Sequence, residues 1–133
     1  MSTGNTNRNQ QDLLDAFLRL QLRRDVLDER LGSALYDAAQ LSPLMVRRAD
    51  LQRVVQNRLN GSITRQQLTE WVNTIWFTDA FLIAEEDAES MISVLEPLEE
   101  LAEDGLDFSE AQYQRMLQAL ADNTEFDLQT VVS

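Results

Sequence analysis

Three residue types with distinctive chemistry are missing from this chain of 133 residues: cysteine, histidine and lysine. Without cysteine there can be no disulfide, no thiolate metal site and no cysteine nucleophile. Without histidine the chain lacks the commonest general base and the commonest transition-metal ligand. These absences argue against an enzyme, and we predict a non-catalytic protein that needs no metal and no cofactor.

Long hydrophobic runs are missing as well. The longest purely apolar run covers residues 80–84, whereas a membrane-spanning helix needs about 20 apolar residues. The polar N-terminus lacks the apolar core of a signal peptide. We therefore expect a cytoplasmic protein that makes no membrane contact. Because 44% of the residues are hydrophobic and a chain of this length can bury one core, we expect a single globular domain.

Charge is distributed unevenly along the chain. Residues 1–65 hold ten arginines and seven acids, a net charge of +3, while residues 70–133 hold sixteen acids and a single arginine, a net charge of −15. A surface of one sign attracts a partner of the other sign. The overall charge of −12 disfavours direct binding of nucleic acid by the arginines between residues 47 and 65.

Residues 85–107 form the most unusual stretch, because they contain ten acids and no cation. The acids are Glu85, Glu86, Asp87, Glu89, Glu96, Glu99, Glu100, Glu103, Asp104 and Asp107. An apolar series at helical spacing runs between them, so one helix face could be buried while the other carries the charge. Like charges four residues apart repel each other. We interpret the acids as a surface for a cationic partner rather than as an ordinary solvated face.

Apolar periodicity and capping signals predict an all-α fold, a single-domain bundle of five or six helices over residues 11–122. Residues 1–10 are predicted to be disordered, and residues 123–133 to form a flexible tail. Capping boxes at Thr64 and Ser109, each with a hydrophobic staple, should start two of the helices.

Glycine and proline predict further helix boundaries. Gly61 should end a helix in the left-handed conformation. A helix should begin at Leu41-Ser42-Pro43, because serine caps a helix and proline suits its first turn. Pro97 should kink or break the helix in the acidic stretch, which would divide the acids between two short pieces.

Metal chemistry finds little support in these patterns. The loops before Thr64 and Ser109 resemble EF-hand loops superficially, but neither has a glutamate at the twelfth position. A di-iron site in a bundle usually takes Glu-x-x-His pairs, which a chain without histidine cannot supply.

Trp71 and Trp76 lie roughly 140° apart around one helix, so one of them could remain at an edge as an anchor for a partner.

Between residues 50 and 104, a basic helix is followed by Leu59-Asn60-Gly61-Ser62-Ile63-Thr64, by Trp71, and by an acidic helix over residues 85–103. This order resembles small acidic immunity proteins of bacterial polymorphic-toxin and contact-dependent inhibition systems. The resemblance implies that this chain binds and neutralises a toxin, which is often a nuclease with a basic active cleft. It transfers no particular functional residue, and Pro97 and the arginine-rich first half depart from the pattern.

Two non-catalytic hypotheses remain open, and an enzyme that uses carboxylates alone is a disfavoured third. The first is an immunity- or inhibitor-like module that docks a carboxylate-rich surface on a basic partner protein. Its predicted partner-binding residues are Glu85, Glu86, Glu89, Glu96, Glu99, Glu100, Glu103, Asp104, Asp107 and Trp76. The second is a self-associating structural or adaptor protein, whose oppositely charged halves meet in trans or whose homodimer seam is formed by Trp76 and Phe77.

Overall fold

The computed structural model describes residues 3–37, 39, 43–103 and 107–127, and the side chains of residues 3–9 and 101–103 lie outside this description. Within these ranges the fold is all-α, as predicted, with a very small sheet. The α-helices are α1 (Thr3–Leu18), α2 (Arg24–Leu31), α3 (Arg48–Leu59), α4 (Arg65–Phe77), α5 (Ala88–Glu103) and α6 (Glu110–Asp122). The strands are β1 (Leu44–Val46) and β2 (Phe81–Ile83), and 3-10 helices cover Gly32–Tyr36 and Glu85–Asp87.

One hydrophobic core joins these elements. Helix α3 packs against α6 and α4, and α5 packs against α4 and α6. Trp71 on α4 is buried, and its indole N–H donates to the carbonyl of Leu18 at 3.1 Å. Among the described residues, no helix is long and apolar enough to cross a membrane.

The stretch from Thr3 to Leu31 forms two helices, α1 and α2. Helix α1 begins at Thr3, well before residue 11, where we expected the helical domain to start. It ends in a turn in which Gln21 donates to the carbonyl of Ala16 at 2.8 Å and Leu20 adopts a positive φ of 65°. Glycine usually occupies this position after a helix. Because leucine occupies it here, the end of α1 cannot be recognised in the sequence.

The predicted helix start at Leu41-Ser42-Pro43 is wrong. Leu41 and Ser42 lie outside the described residues, and Leu44–Val46 form β1, which pairs in parallel with Phe81–Ile83. The next helix begins only at Arg48, after Arg47, whose N–H donates to Asp50 at 2.9 Å. The strand pairing joins residues nearly forty positions apart, so local propensity could not reveal it.

Both capping boxes are confirmed. Thr64 Oγ1 accepts the N–H of Gln67 at 3.1 Å, and the Gln67 side chain accepts the N–H of Thr64 at 2.8 Å. Ser109 and Gln112 make the same pair of bonds at 3.2 and 2.8 Å. Gly61 ends the helix before the first box with φ of 80°, as predicted.

The sequence predicted a kink or a break at Pro97, and the break is wrong, because α5 is one continuous helix from Ala88 to Glu103. Proline in a helix interior costs about 3 kcal/mol relative to alanine. Val94, Leu95 and Leu98, on both sides of the proline, are buried in the core. Burial of each such side chain stabilises by about 1.5–3 kcal/mol, which is enough to hold the helix together across the proline.

Candidate functional site

Arginines from the first half of the chain pair with acids of the second half within one molecule. The three pairs are Arg47–Glu86 at 2.6 Å, Arg48–Asp87 at 2.9 Å, and Arg58–Asp107. The hydrogen bond from Arg47 lowers the pKa of the exposed Glu86 carboxyl. Glu86, Asp87 and Asp107 therefore have partners inside the fold, although residues 85–107 contain no cation.

Asp87 and Arg48 connect three elements of the fold. The Asp87 carboxylate is buried and accepts both the side chain of Arg48 at 2.9 Å and its backbone N–H at 3.2 Å. The guanidinium of Arg48 also donates to the carbonyl of Leu120, at the end of α6, at 2.8 Å. The pair holds the start of α3, the start of α5 and the end of α6 together, so we assign Asp87 a structural role.

Asp107 forms a second structural cluster. Its carboxylate accepts hydrogen bonds from Arg58, from the hydroxyl of Tyr113 and from the N–H of Phe108. Burial opposes ionisation of Asp107, but the hydrogen bonds from Tyr113 and Arg58 outweigh it and lower its pKa. Burial and the bond to Asp107 raise the pKa of Tyr113 to about 12.

Tyr113 makes the stability of the fold sensitive to alkaline pH. The unfolded chain loses the phenolic proton near pH 10, whereas the folded chain holds it up to about pH 12. Raising the pH through this window therefore favours the unfolded state, by at most about 2 kcal/mol because solvent screens part of the interaction. We expect urea denaturation at pH 9 to 12 to show this loss in the wild type and in Tyr36→Phe. The loss should be absent in Tyr113→Phe, and an equal loss in that variant would contradict the assignment.

A groove with a strongly acidic lining runs along α5. Its residues are Glu89, Ile92, Ser93, Glu96, Pro97 and Glu100 of α5, together with Glu125, Phe126 and Asp127 of the segment after α6. Its volume is about 520 Å³, and its three α5 glutamates extend over about 16 Å of helix. Among the described residues no arginine lines it. We call it the acidic groove.

The floor and the edges of the acidic groove differ in character. Ile92 and Pro97 are half-buried and form an apolar strip, and Phe126 is nearly buried. The side chains of Glu89, Glu96 and Glu100 are exposed beside this strip. Such a surface can bind an extended segment rich in lysine or arginine. The aliphatic stems of these side chains can pack on the apolar strip while their charged ends lie beside the glutamates.

A polar seam holds the segment after α6 against α5. Asn123 ends α6 with φ of 55°, and its side chain accepts a bond from Ser90 Oγ at 2.8 Å. Farther along, the N–H of Phe126 donates to Ser93 Oγ at 2.8 Å. These bonds place Glu125 and Asp127 beside the acids of α5. Residues 123–127 are thus anchored, where the sequence predicted a flexible tail; residues 128–133 lie outside the described part of the chain.

The structure brings only some of the predicted partner-binding residues together. Glu89, Glu96 and Glu100 line the acidic groove. Glu85 is exposed on the 3-10 helix before α5, and Glu99 is half-buried and outside the groove lining. Trp76 is also half-buried and packs against the core. The side chains of Glu103 and Asp104 lie outside the described residues.

Six groove residues were not predicted: Ile92, Ser93, Pro97, Phe126, Glu125 and Asp127. Two signals in the sequence point towards the last two. Asn123 is a residue type that tolerates the left-handed turn after a helix, and Phe126 is an aromatic residue in an otherwise polar segment. Together they indicate a chain that turns back and packs.

Comparison of the chain with protein-family models, with curated proteins and with solved structures found no match in any of the three. The resemblance to immunity proteins therefore stays a prediction. The function has to be argued from the acidic groove itself.

Proposed function

We propose that this chain is a non-catalytic protein-binding module that docks its acidic groove on a basic surface of a partner protein. In the immunity- or inhibitor-like form of this proposal, the partner is a toxin. A nuclease-type toxin fits, because it has a basic cleft that normally receives phosphates. The module would occupy that cleft with carboxylates in place of phosphates.

The observation that carries the proposal is the contrast between two sets of acids. The chain's own arginines pair with acids at both ends of residues 85–107. Glu89, Glu96 and Glu100 have no arginine partner in the part of the chain that the structure describes. These three acids share one side of α5 without a compensating arginine, and a positively charged partner would relieve their mutual repulsion.

Two features of the acidic groove oppose stability and so favour a binding role. Glu96 and Glu100 are four residues apart on α5, a spacing at which like charges destabilise a helix by a few tenths of a kcal/mol. Pro97 lies between them in the helix interior, where proline is unfavourable. Sites that cost stability are commonly retained for function.

The test neutralises the acidic groove without changing its shape. In the groove variant, Glu89→Gln, Glu96→Gln and Glu100→Gln are combined. Each lost pairing of an exposed carboxylate with a cation of the partner is worth up to about 1 kcal/mol, so the Kd at low salt should rise up to about 100-fold. Raising the salt concentration should weaken the wild-type complex as well, because exposed charges are screened. Capture of a basic protein at low salt, followed by titration of that protein, measures both effects.

A matched control variant removes three exposed acids elsewhere, by Asp12→Asn, Glu29→Gln and Glu110→Gln. It changes the net charge by the same amount and should bind almost as tightly as the wild type. If the groove variant retains the captured partner with unchanged affinity, the proposal is wrong. If the two variants lose affinity equally, net charge rather than the acidic groove attracts the partner.

Self-association is the second candidate function, and one observation favours it: the side chain of Phe77 is 57% exposed at the end of α4. Pairing of the two charged halves in trans is less well supported, because three arginines of residues 47–58 already pair with acids in the same chain. Sedimentation at low and high salt distinguishes the two forms, since a dimer held by charge dissociates at high salt and an apolar one persists.

A further inference from the structure

The exposed large hydrophobic side chains gather around the connection from α4 to β2. Among the described side chains they are Tyr36, Met45, Phe77 and Leu82, each 45–57% exposed. Leu82 lies in β2, and Met45 is its direct neighbour in β1. The carbonyl of Leu35, next to Tyr36, accepts the N–H of Asp79 at 2.8 Å, which brings the 3-10 helix to the same connection.

The small sheet is unusual because one of its faces is uncovered. Parallel sheets normally have both faces covered. Here Val46 and Phe81 face the core and are buried, while Met45 and Leu82 alternate with them and point away from the core. Each strand has a strand neighbour on one side only in the described part of the chain. We call the outward face around Met45 and Leu82 the sheet face.

The charges around the sheet face select among its possible occupants. Asp79 precedes β2 and Glu85 follows it, and both side chains are exposed. The arginine that follows β1, Arg47, is already paired with Glu86. The ends of the sheet thus carry excess negative charge. Two copies of this chain, each with a net charge of −12, would bring these acids together, whereas a cationic partner would complement them.

The sheet face also lies close to the acidic groove along the chain. Leu82 is seven residues before Glu89, so their Cα atoms are separated by less than about 25 Å. A helical segment of about 18 residues spans that distance. Both surfaces therefore lie within the length of one such segment.

We propose that the sheet face is a second docking surface, which receives the apolar side chains of an amphipathic basic segment whose cations lie in the acidic groove. This inference rests on the proposed function and specifies its partner: a segment with leucine-like side chains on one side and arginine or lysine on the other. Charge would speed the encounter, and the sheet face would discriminate amphipathic partners from merely basic ones.

The test uses two synthetic peptides of about 18 residues, both made only of lysine, leucine and alanine in the same proportions. In the first, the leucines lie on one helical face; in the second, they are spread around the helix. The wild type should bind the first peptide at least about tenfold more tightly than the second, with a more negative heat-capacity change. Titration calorimetry at low salt measures both quantities.

Two variants separate this inference from the proposed function. Met45→Thr with Leu82→Thr keeps residues that favour strands and should abolish the preference between the peptides while leaving binding of the second peptide unchanged. The groove variant should bind both peptides more weakly than the wild type does, and to the same extent. If the first peptide binds the wild type no more tightly than the second, only the sheet-face inference is wrong. If neither peptide binds the wild type at low salt, the proposed function is wrong too.

Two further results would overturn the inference. The first is a wild-type dimer in sedimentation that the Met45→Thr and Leu82→Thr changes convert to a monomer, because the sheet face would then belong to a second copy. The second is an unchanged peptide preference in that double variant. Leu82→Thr alone, with urea denaturation as a check of folding, provides the same comparison if the double variant does not fold.

Discussion

Replacing Arg48 with methionine is expected to lower the free energy of unfolding by about 3–5 kcal/mol. The change leaves the Asp87 carboxylate, which is 6% exposed, without the guanidinium that compensates it. It also removes the donor to the carbonyl of Leu120 at the end of α6. Methionine retains most of the aliphatic stem, so the loss reports on the charge and its hydrogen bonds rather than on packing.

Arg47→Met is the matched control for this change. Arg47 is adjacent in sequence and also forms an ion pair, but its side chain and that of Glu86 are 57% and 65% exposed. Exposed ion pairs contribute little to stability, so urea denaturation should show a much smaller effect for Arg47→Met. Equal losses in the two variants would contradict the structural role assigned to the Arg48–Asp87 pair.

A double variant tests the reason for the loss. If Arg48→Met destabilises because it leaves a buried carboxylate without its cation, then combining it with Asp87→Asn should recover part of the stability. A double variant less stable than Arg48→Met alone would show instead that Asp87 acts through its other bond, to the backbone N–H of Arg48 at 3.2 Å.

The predictable parts of the fold are those whose signals are local. The capping boxes at Thr64 and Ser109 and the glycine turn at Gly61 involve residues within one helical turn, so the sequence predicts them correctly. The pairing of β1 with β2 depends on residues brought together by the rest of the fold, and the helix predicted from Pro43 therefore proved wrong. Proline is unfavourable in a helix interior, but at Pro97 the burial of the neighbouring side chains outweighs this cost.

The candidate site was predictable to a similar extent. Helical spacing places Glu89, Glu96 and Glu100 on one face of α5, because residues seven and four apart share a helix face, but the acid-rich pattern predicted nearly all the acids of residues 85–107 as one binding surface. It could not reveal that arginines nearly forty residues away would pair with Glu86 and Asp87. Nor could it reveal that the segment after α6 would add two more acids, since this depends on hydrogen bonds between Asn123, Phe126 and the serines of α5.

Phe126→Ala is expected to affect both the stability and the proposed binding. The side chain of Phe126 is 8% exposed, and truncation of a buried phenylalanine to alanine costs about 3 kcal/mol at the low end of the usual range. Urea denaturation measures this loss. Because Phe126 anchors the segment to α5 by its N–H as well as its ring, its truncation should also release the acids on either side of it from the acidic groove.

The consequence for binding separates anchoring from charge. Glu125→Gln removes a charge beside Phe126 and leaves Phe126 in place, so this variant should bind a cationic partner more weakly with little effect on stability. Phe126→Ala keeps the charges but frees them to move, and it should weaken the same partner by about tenfold, since ordering the segment on binding then costs conformational entropy. If Phe126→Ala loses stability while binding is unchanged, α5 alone supplies the docking acids. In that case, the role of the segment after α6 is to cover the core, and the acids beside Phe126 are part of the solvated surface.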